Sequence, residues 1–266
     1  MTALRLTPVL ALGGQRWLRM IERNLLVYKH SWLVLFSGFF EPLFYLLSIG
    51  FGLGRLIGDV PGPGGQPIPY ALFVAPALLG ASAMNGAITE STFNFFFKLT
   101  YDKTFASILT TPMAPVDISI GELAWALIRG ALYTIGFIAV MVLFGLVRSP
   151  LILLTLPGAI LIGFAFASVG MAATSFMRTW QDFDLIQLFI LPMFLFSGTF
   201  FPLDSFPEGV RILIQLTPLY HGVDLLRTLA VGVIGPGTLV HVAYLTTMGL
   251  IGLAVVSRRL DKLLLK

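Results

Sequence analysis

Six long runs of apolar residues, at about 32–53, 70–93, 118–146, 151–176, 185–201 and 239–256, dominate this sequence and leave few folds open to it. A helix needs roughly 20 apolar residues to cross a hydrocarbon layer of about 30 Å, and each run approaches or exceeds that length. The 266 residues therefore hold six spans, their connections and no separate soluble domain. Only 11% of the residues are charged, against roughly 25% in soluble domains, so lipid is the solvent for most of the chain. Backbone groups in lipid must be satisfied within the segment, which makes the expected fold class all-α integral membrane.

The basic residues orient the spans. With the amino terminus in the cytoplasm, twelve of the 17 fall inside: Arg5, Arg16, Arg19, Arg23, Lys29, Lys98, Lys103, Arg178, Arg258, Arg259, Lys262 and Lys266. Arg55, Arg148, Arg211 and Arg227 fall outside and Arg129 lies within a span, a bias that follows the positive-inside rule. Both termini are expected in the cytoplasm of a multi-pass cell-membrane protein. The net charge of +4 reads as this topology signal and as attraction to anionic lipid, not as nucleic-acid binding. The apolar stretch 9–12 is too short for a signal-peptide core, so the amino terminus is expected to be retained.

The connecting segments carry patterns of their own. Residues 15–30 place Trp17, Ile21, Leu25 and Tyr28 near helical spacing with Arg16, Arg19 and Arg23 elsewhere, which fits a helix lying in the headgroup plane or the polar start of the first span. Residues 59–67 are rich in proline and glycine and read as a loop with neither helix nor strand. At 100–111, Phe105, Ile108 and Leu109 share one face of a short amphipathic helix stopped by Pro112 and Pro115. Residues 203–231 repeat the pattern with Val210, Leu213 and Ile214, break at Thr217-Pro218 and resume at Leu219, Val223 and Leu226. Each piece is too short to cross, and so is re-entrant or interfacial.

Within the spans, Pro192 and the turn Phe196-Ser197-Gly198-Thr199-Phe200-Phe201-Pro202 predict a bent or broken fifth helix, which either lines a pathway or simply packs as a kinked helix. Glu41 lies about 14 Å into the first span, before Pro42. An acid at that depth marks a functional site or a neutral glutamic acid hydrogen-bonded to a neighbour. Arg129, two turns beyond Glu122, is expected to pair with it, while Glu90, Asp182 and Asp184 read as solvated residues near span ends. The glycines from Gly50 to Gly54, extended by Gly58, allow a close helix partner. His30, His221 and His241 lack metal-ligand spacing and read as interfacial hydrogen-bonding residues; with no cysteine, thiolate metal sites are excluded. None of the five lysines follows a glycine, so the sequence has no phosphate-binding loop.

The stretch 101–115 (YDKTFASILTTPMAP), running into Gly121 and Glu122, resembles the cytoplasmic coupling segment of ABC-2 type transporter permeases. The segment Pro192 to Pro202 resembles that family's fifth span, Leu216-Thr217-Pro218-Leu219 with Arg227 its outer re-entrant helices, and the amphipathic start its interface helix. Glu41-Pro42-Leu43 followed by the Gly50 to Gly54 run looks closest to the branch that exports nodulation-type lipo-oligosaccharides and daunorubicin-like drugs. The resemblance implies one transmembrane domain with six spans, an interface helix, a coupling helix and re-entrant helices, paired with a second copy or a sister permease. Two ATPase subunits would bring ATP and Mg, leaving this chain without a cofactor or catalysis. Asp102, Lys103, Phe105, Ile108, Leu109, Arg19 and Arg23 would form the ATPase-coupling surface. Glu41, Pro192, Phe194, Phe196, Ser197, Phe200 and Phe201 would line a path for a lipid-linked saccharide, a glycolipid or a hydrophobic drug. An ion-coupled secondary transporter is the rival reading, and it lacks the paired broken helices such carriers use.

Overall fold

A computed structural model describes residues 16–29 and 40–264 of the protein. Arg5, His30, Lys266, the 9–12 stretch and the first part of the 32–53 run lie outside the described residues. The helix expected near residues 15–30 is α1 (Arg16–Tyr28). Among the described residues, five helices have the length and apolarity to cross a membrane: α2 (Phe40–Ile57), α3 (Tyr70–Tyr101), α5 (Pro115–Leu143), α6 (Pro150–Thr174) and α10 (Pro236–Leu264). Between them lie the short helices α4 (Thr104–Ile108), α7 (Phe183–Phe196), α8 (Glu208–Leu216) and α9 (Pro218–Val231). This is an all-α membrane fold.

Helix α3 is its centre. Inside the protein lies 72% of its apolar window, against 17% for α2 and 28% for α5 and α10, so α3 is the post and α2 a peripheral element. Small residues permit close crossings, since apolar side chains gain little by leaving lipid and helices associate through packing. Gly80 of α3 meets the backbone of Val223 on α9. A Cβ at Gly252 of α10 would come within 2.7 Å of the α6 backbone at Ser168 and Val169. Gly50 and Gly54 serve the same purpose within the chain, lying against Ala71 and Tyr70 at the start of α3.

Three expectations about the elements need correction. The 185–201 run is helical only over Phe183–Phe196, 14 residues or about 21 Å, short of the hydrocarbon thickness. Pro192 has no N–H to give to the preceding turn, and Gly198 takes a φ of +74° that ends the helix. The 59–67 segment is not a bare loop: β1 (Asp59–Pro61) pairs antiparallel with β2 (Pro67–Pro69), with Val60 opposite Ile68. Cross-strand bonds run from Gly62 N to Gln66 O and from Tyr70 N to Gly58 O. The prolines at 61, 67 and 69 occupy the intervening positions, whose N–H would point away from the partner strand. The coupling helix is shorter than 100–111, because α3 runs on to Tyr101 through π-helical turns and the chain then reverses at Lys103, whose φ is +49°.

The buried stripes also differ from those expected. In α1 the buried residues are Met20 and Asn24, while Leu25, Leu26 and Val27 are exposed. Met20 lies over Gly121 of α5, where a Cβ would come within 2.4 Å of Met20 Cβ, and this close crossing decides which face turns inward. In α8, Ile214 is buried and Leu213 exposed.

Candidate functional site

A groove of about 610 Å³ runs between α2 and α7 with α3 as its floor. Glu41, Tyr45 and Ile49 of α2 form one wall, Gln187, Ile190 and Phe194 of α7 the other, and Tyr70, Asn85 and Thr89 of α3 lie beneath. Phe200 and Phe201, beyond the end of α7, close it toward the hairpin. Of the expected path residues, Glu41, Phe194, Phe200 and Phe201 meet here. Pro192, Phe196 and Ser197 do not line it: Pro192 is exposed on α7, Phe196 turns toward Phe206, and Ser197 is wholly buried, 2.8 Å from the Thr199 hydroxyl. No hydrogen bond or ion pair of Glu41 is found among the described residues. Tyr45 packs on Phe194 and Phe194 on Phe200, so aromatic contacts join the two walls across the groove.

Irregular backbone within a membrane survives only where protein satisfies it. Residues 197–201 are held by Arg227 of α9, a side chain 6% exposed. Its Nη2 donates to Gly198 O at 2.7 Å and its Nε to Phe73 O at 3.1 Å, and the guanidinium lies 3.7 Å from the Phe73 ring centre. The Tyr70 hydroxyl donates to Phe200 O at 3.1 Å. Arg227 thus ties the broken end of α7 to the central helix. Its signal was present in the sequence: it stands four residues after Val223, on the apolar face of α9.

At its other end, α3 carries a row of polar side chains at Glu90, Asn94 and Lys98. The four-residue spacing keeps them on one side of the helix, facing α1 and α5. Glu90 pairs with Arg129, which also donates to the Tyr133 hydroxyl at 3.0 Å. Asn94 reaches Glu90 at 2.7 Å and the Tyr28 hydroxyl of α1 at 3.3 Å. Lys98 pairs with Glu122 at 2.6 Å, and Asn24 of α1 donates to the same carboxylate at 3.3 Å. The expected Arg129–Glu122 pair is therefore not formed, because each takes a nearer partner on α3. Glu90 is buried, not solvated. Burial and the nearby Glu90 carboxylate raise the Tyr28 hydroxyl above the ordinary phenol range, and its oxygen accepts from Asn94 and from Arg129. Asp184 is exposed, and Asp182 accepts from the Arg178 and Thr179 amides, bonds that hold its carboxyl below the ordinary range.

The same end presents α1 and α4 together. Arg16 donates to the carbonyl of Pro112, just beyond α4. Arg19 is exposed in a pair with Glu22, Arg23 donates to Asn24, and Tyr101, Asp102 and Lys103 are exposed beside them. Phe105 departs from expectation: it is fully buried against Phe95, with Ile108 and Leu109 packed against the same core. With so little of its own length to anchor it, α4 turns its apolar face into its own chain, so the surface open to a partner is polar and basic.

The other histidines meet away from the groove. His221 Nδ1 lies 2.8 Å from His241 Nδ1, and His241 Nε2 lies 2.9 Å from Asp224, linking α9 to α10. Twenty residues separate the pair, and nothing in the spacing announced it. No group that could hold a metal is found among the described residues.

A helical membrane domain whose charged end is buttressed by the amphipathic helix α1, and whose opposite end holds the broken end of α7 and the short helices α8 and α9, has the build of a membrane transport permease. A family model described as ABC-2 type transporter matches residues 15–230. The chain is 32% identical over 254 residues to Nodulation protein J of Rhizobium leguminosarum bv. viciae, covering 93% of this chain and 96% of that one. To Nodulation protein J of Sinorhizobium fredii it is 33% identical over 243 residues, 91% of each. To the inner membrane transport permease YadH of Escherichia coli it is 23% identical over 178 residues, 66% of this chain and 67% of that one. The protein belongs to the ABC-2 type transporter family, whose transmembrane subunits work with a separate ATP-binding subunit.

Proposed function

We propose that this chain is the transmembrane subunit of an exporter that moves an amphipathic lipid-linked saccharide, glycolipid or hydrophobic drug out of the cytoplasm or inner leaflet, with a lipo-oligosaccharide the first candidate. The likeness to the nodulation proteins and the shape of the groove support that substrate class. Two copies, or this chain and a sister permease, work with two ATPase subunits that bind ATP and Mg; this chain binds no nucleotide. The α1–α4 surface, with Arg19, Arg23, Asp102 and Lys103, receives the ATPases on the cytoplasmic side, where both termini lie. The excess of basic residues at that end supports this orientation.

One observation carries the reading: the polar row Glu90, Asn94 and Lys98 joins the α1–α4 surface to the helix that floors the groove. A push on α1 is thereby delivered to α3 and α5, while α2 and α7, which bury the least of themselves, are free to part around an acyl chain. Reversing both exposed charges, Asp102→Lys with Lys103→Glu, is expected to leave membrane insertion intact and abolish substrate-stimulated ATP hydrolysis by the reconstituted complex. Normal stimulation would overturn the assignment of the surface. Transport that persists without ATPase and collapses with a proton or sodium gradient would replace the exporter with an ion-coupled carrier.

A further inference from the structure

His221 and His241 form a cluster that neither the groove nor the polar row of α3 uses. Their Nδ1 atoms lie 2.8 Å apart, and His241 Nε2 lies 2.9 Å from Asp224 Oδ2. Both histidines are 8% exposed, while the Asp224 side chain is 30% exposed and opens the cluster to water. The other ionisable groups around the rings are Tyr220 and Arg227 of α9 and Tyr244 of α10. The Gln215 carbonyl of α8 faces His221, and the charge of Asp204 is felt at Tyr220. Asp224 is ionised: burial works against its charge, but the His241 bond and the nearby Arg227 outweigh burial and hold the carboxyl below the ordinary range.

The number of protons this arrangement can hold is limited. His241 Nε2 donates to Asp224, so a neutral His241 leaves Nδ1 bare to accept from the Nδ1–H of His221. One further proton fits, because whichever ring becomes imidazolium still donates to the other, and Asp224 balances its charge. A second does not fit. Two N–H groups would then point at each other across 2.8 Å, and two cations would share one carboxylate, with Arg227 adding positive charge and the tyrosines neutral in acid. Turning a ring away in place is costly, since His221 is stacked on Tyr244 with 4.0 Å between ring centres and Tyr220 stands edge-on to both imidazoles. Burial, and then the neighbouring imidazole, lower His221 below the ordinary imidazole range. We propose that the cluster is an acid-opened latch between α9 and α10, closed while the two imidazoles share at most one extra proton and forced apart when both are charged. The closed form binds fewer protons than the open one, so its share falls as pH falls. Free imidazoles titrate near about 6.5, which sets the top of the window, and below it the closed-to-open ratio drops by up to about tenfold per pH unit. Arg227 of the same helix holds Gly198 O in the loop whose Phe200 and Phe201 close the groove, so an open latch loosens that closure. The latch itself is independent of the substrate; its bearing on transport rests on the reading of the groove as the path.

The test is amide hydrogen exchange of the full chain in nanodiscs, with each rate corrected for the intrinsic pH dependence of exchange, beside nitrogen NMR of the histidine side chains. Between about pH 7.5 and about pH 4.5, protection over 219–225 of α9 and 239–243 of α10 is expected to fall by about tenfold or more, while α6 stays protected. The fall should coincide with uptake of the second proton by the pair. His221→Phe, which keeps a ring stacked on Tyr244, and His241→Gln each leave a single imidazole, and either should abolish the acid response. Unchanged protection in the wild-type protein would overturn the latch, as would a fall that persists in a folded variant or that spreads to α6. Should neither variant fold, the nitrogen signals decide alone. Loosening in step with a second proton taken up below the ordinary imidazole range upholds the latch, and a second proton bound at the ordinary value with α9 still protected refutes it.

Discussion

Replacing Arg227 with methionine tests whether the broken end of α7 is held by this one side chain. Methionine keeps most of the volume and removes the guanidinium. Two buried acceptors, Gly198 O and Phe73 O, then lose charged donors at 2.7 and 3.1 Å. Hydrogen bonds to charged groups contribute about 1.5–3 kcal/mol each, giving about 3–6 kcal/mol. Stacking on Phe73 at 3.7 Å adds up to about 2 kcal/mol in a desolvated site. Against this, the variant no longer buries a charge, which returns several kcal/mol. A net loss of about 3 kcal/mol follows, and it is local, because Phe73 O sits within a helix that has other supports whereas residues 197–201 have few. The assay is amide hydrogen exchange of the protein in nanodiscs. Exchange at Thr199 and Phe200 should accelerate by roughly 10²-fold, since each 1.4 kcal/mol is a factor of ten, while α6 and α10 remain protected. Arg227→Lys, which reaches one carbonyl but lacks the fork to hold two, should fall between. Unchanged protection at 197–201, or acceleration spread evenly over the chain, would refute the pinning role.

Two further outcomes follow from the opposite end. Gly121→Val places carbon atoms where Met20 now lies, against a clearance of 2.4 Å at the Cβ, so α1 must lift from α5. Because the chain has no cysteine of its own, spin labels introduced at Arg19→Cys and Val116→Cys will report it as a longer and broader distance, with loss of ATPase stimulation. Lys98→Met leaves the Glu122 carboxylate, 3% exposed, without its cation and should cost about 3–5 kcal/mol in detergent unfolding; the double variant Lys98→Met with Glu122→Leu should recover most of that.

Hydropathy made the large helices legible because lipid imposes one rule on every residue of a span, so a sum over twenty positions outweighs any local exception. Short elements have no such redundancy. In α1 one close crossing, Met20 over Gly121, was enough to rotate the buried face away from the stripe that Trp17, Ile21 and Leu25 suggested. In α4, five residues, periodicity correctly put Phe105, Ile108 and Leu109 together but could not say whether that face met a partner or the chain's own core. The charged pairs escaped for a related reason. Glu122 and Arg129 are neighbours along one helix, and sequence ranks that separation first, yet a buried charge takes whichever partner desolvates with it, and α3 offered both Glu90 and Lys98. Asp184 is exposed, although its neighbour Phe183 packs on Phe93 and Phe96.

The distribution of this polar pairing bears on how such a protein does work. Charged pairs in a membrane are costly to separate, so the helices they join move as one body. Here they join α3 to α5, α1 is tied to both by the hydrogen bonds of Asn24 and Tyr28, and Arg227 joins α3 to α9 and to the loop after α7. No ion pair among the described residues ties α2 or the helical part of α7 to that body. Their contacts across the groove are aromatic, Tyr45 with Phe194 and Phe194 with Phe200, and can be exchanged for an acyl chain at little cost. A force applied at the α1–α4 surface therefore meets a rigid post flanked by two walls held only by dispersion, and the first thing it can open is the groove between them.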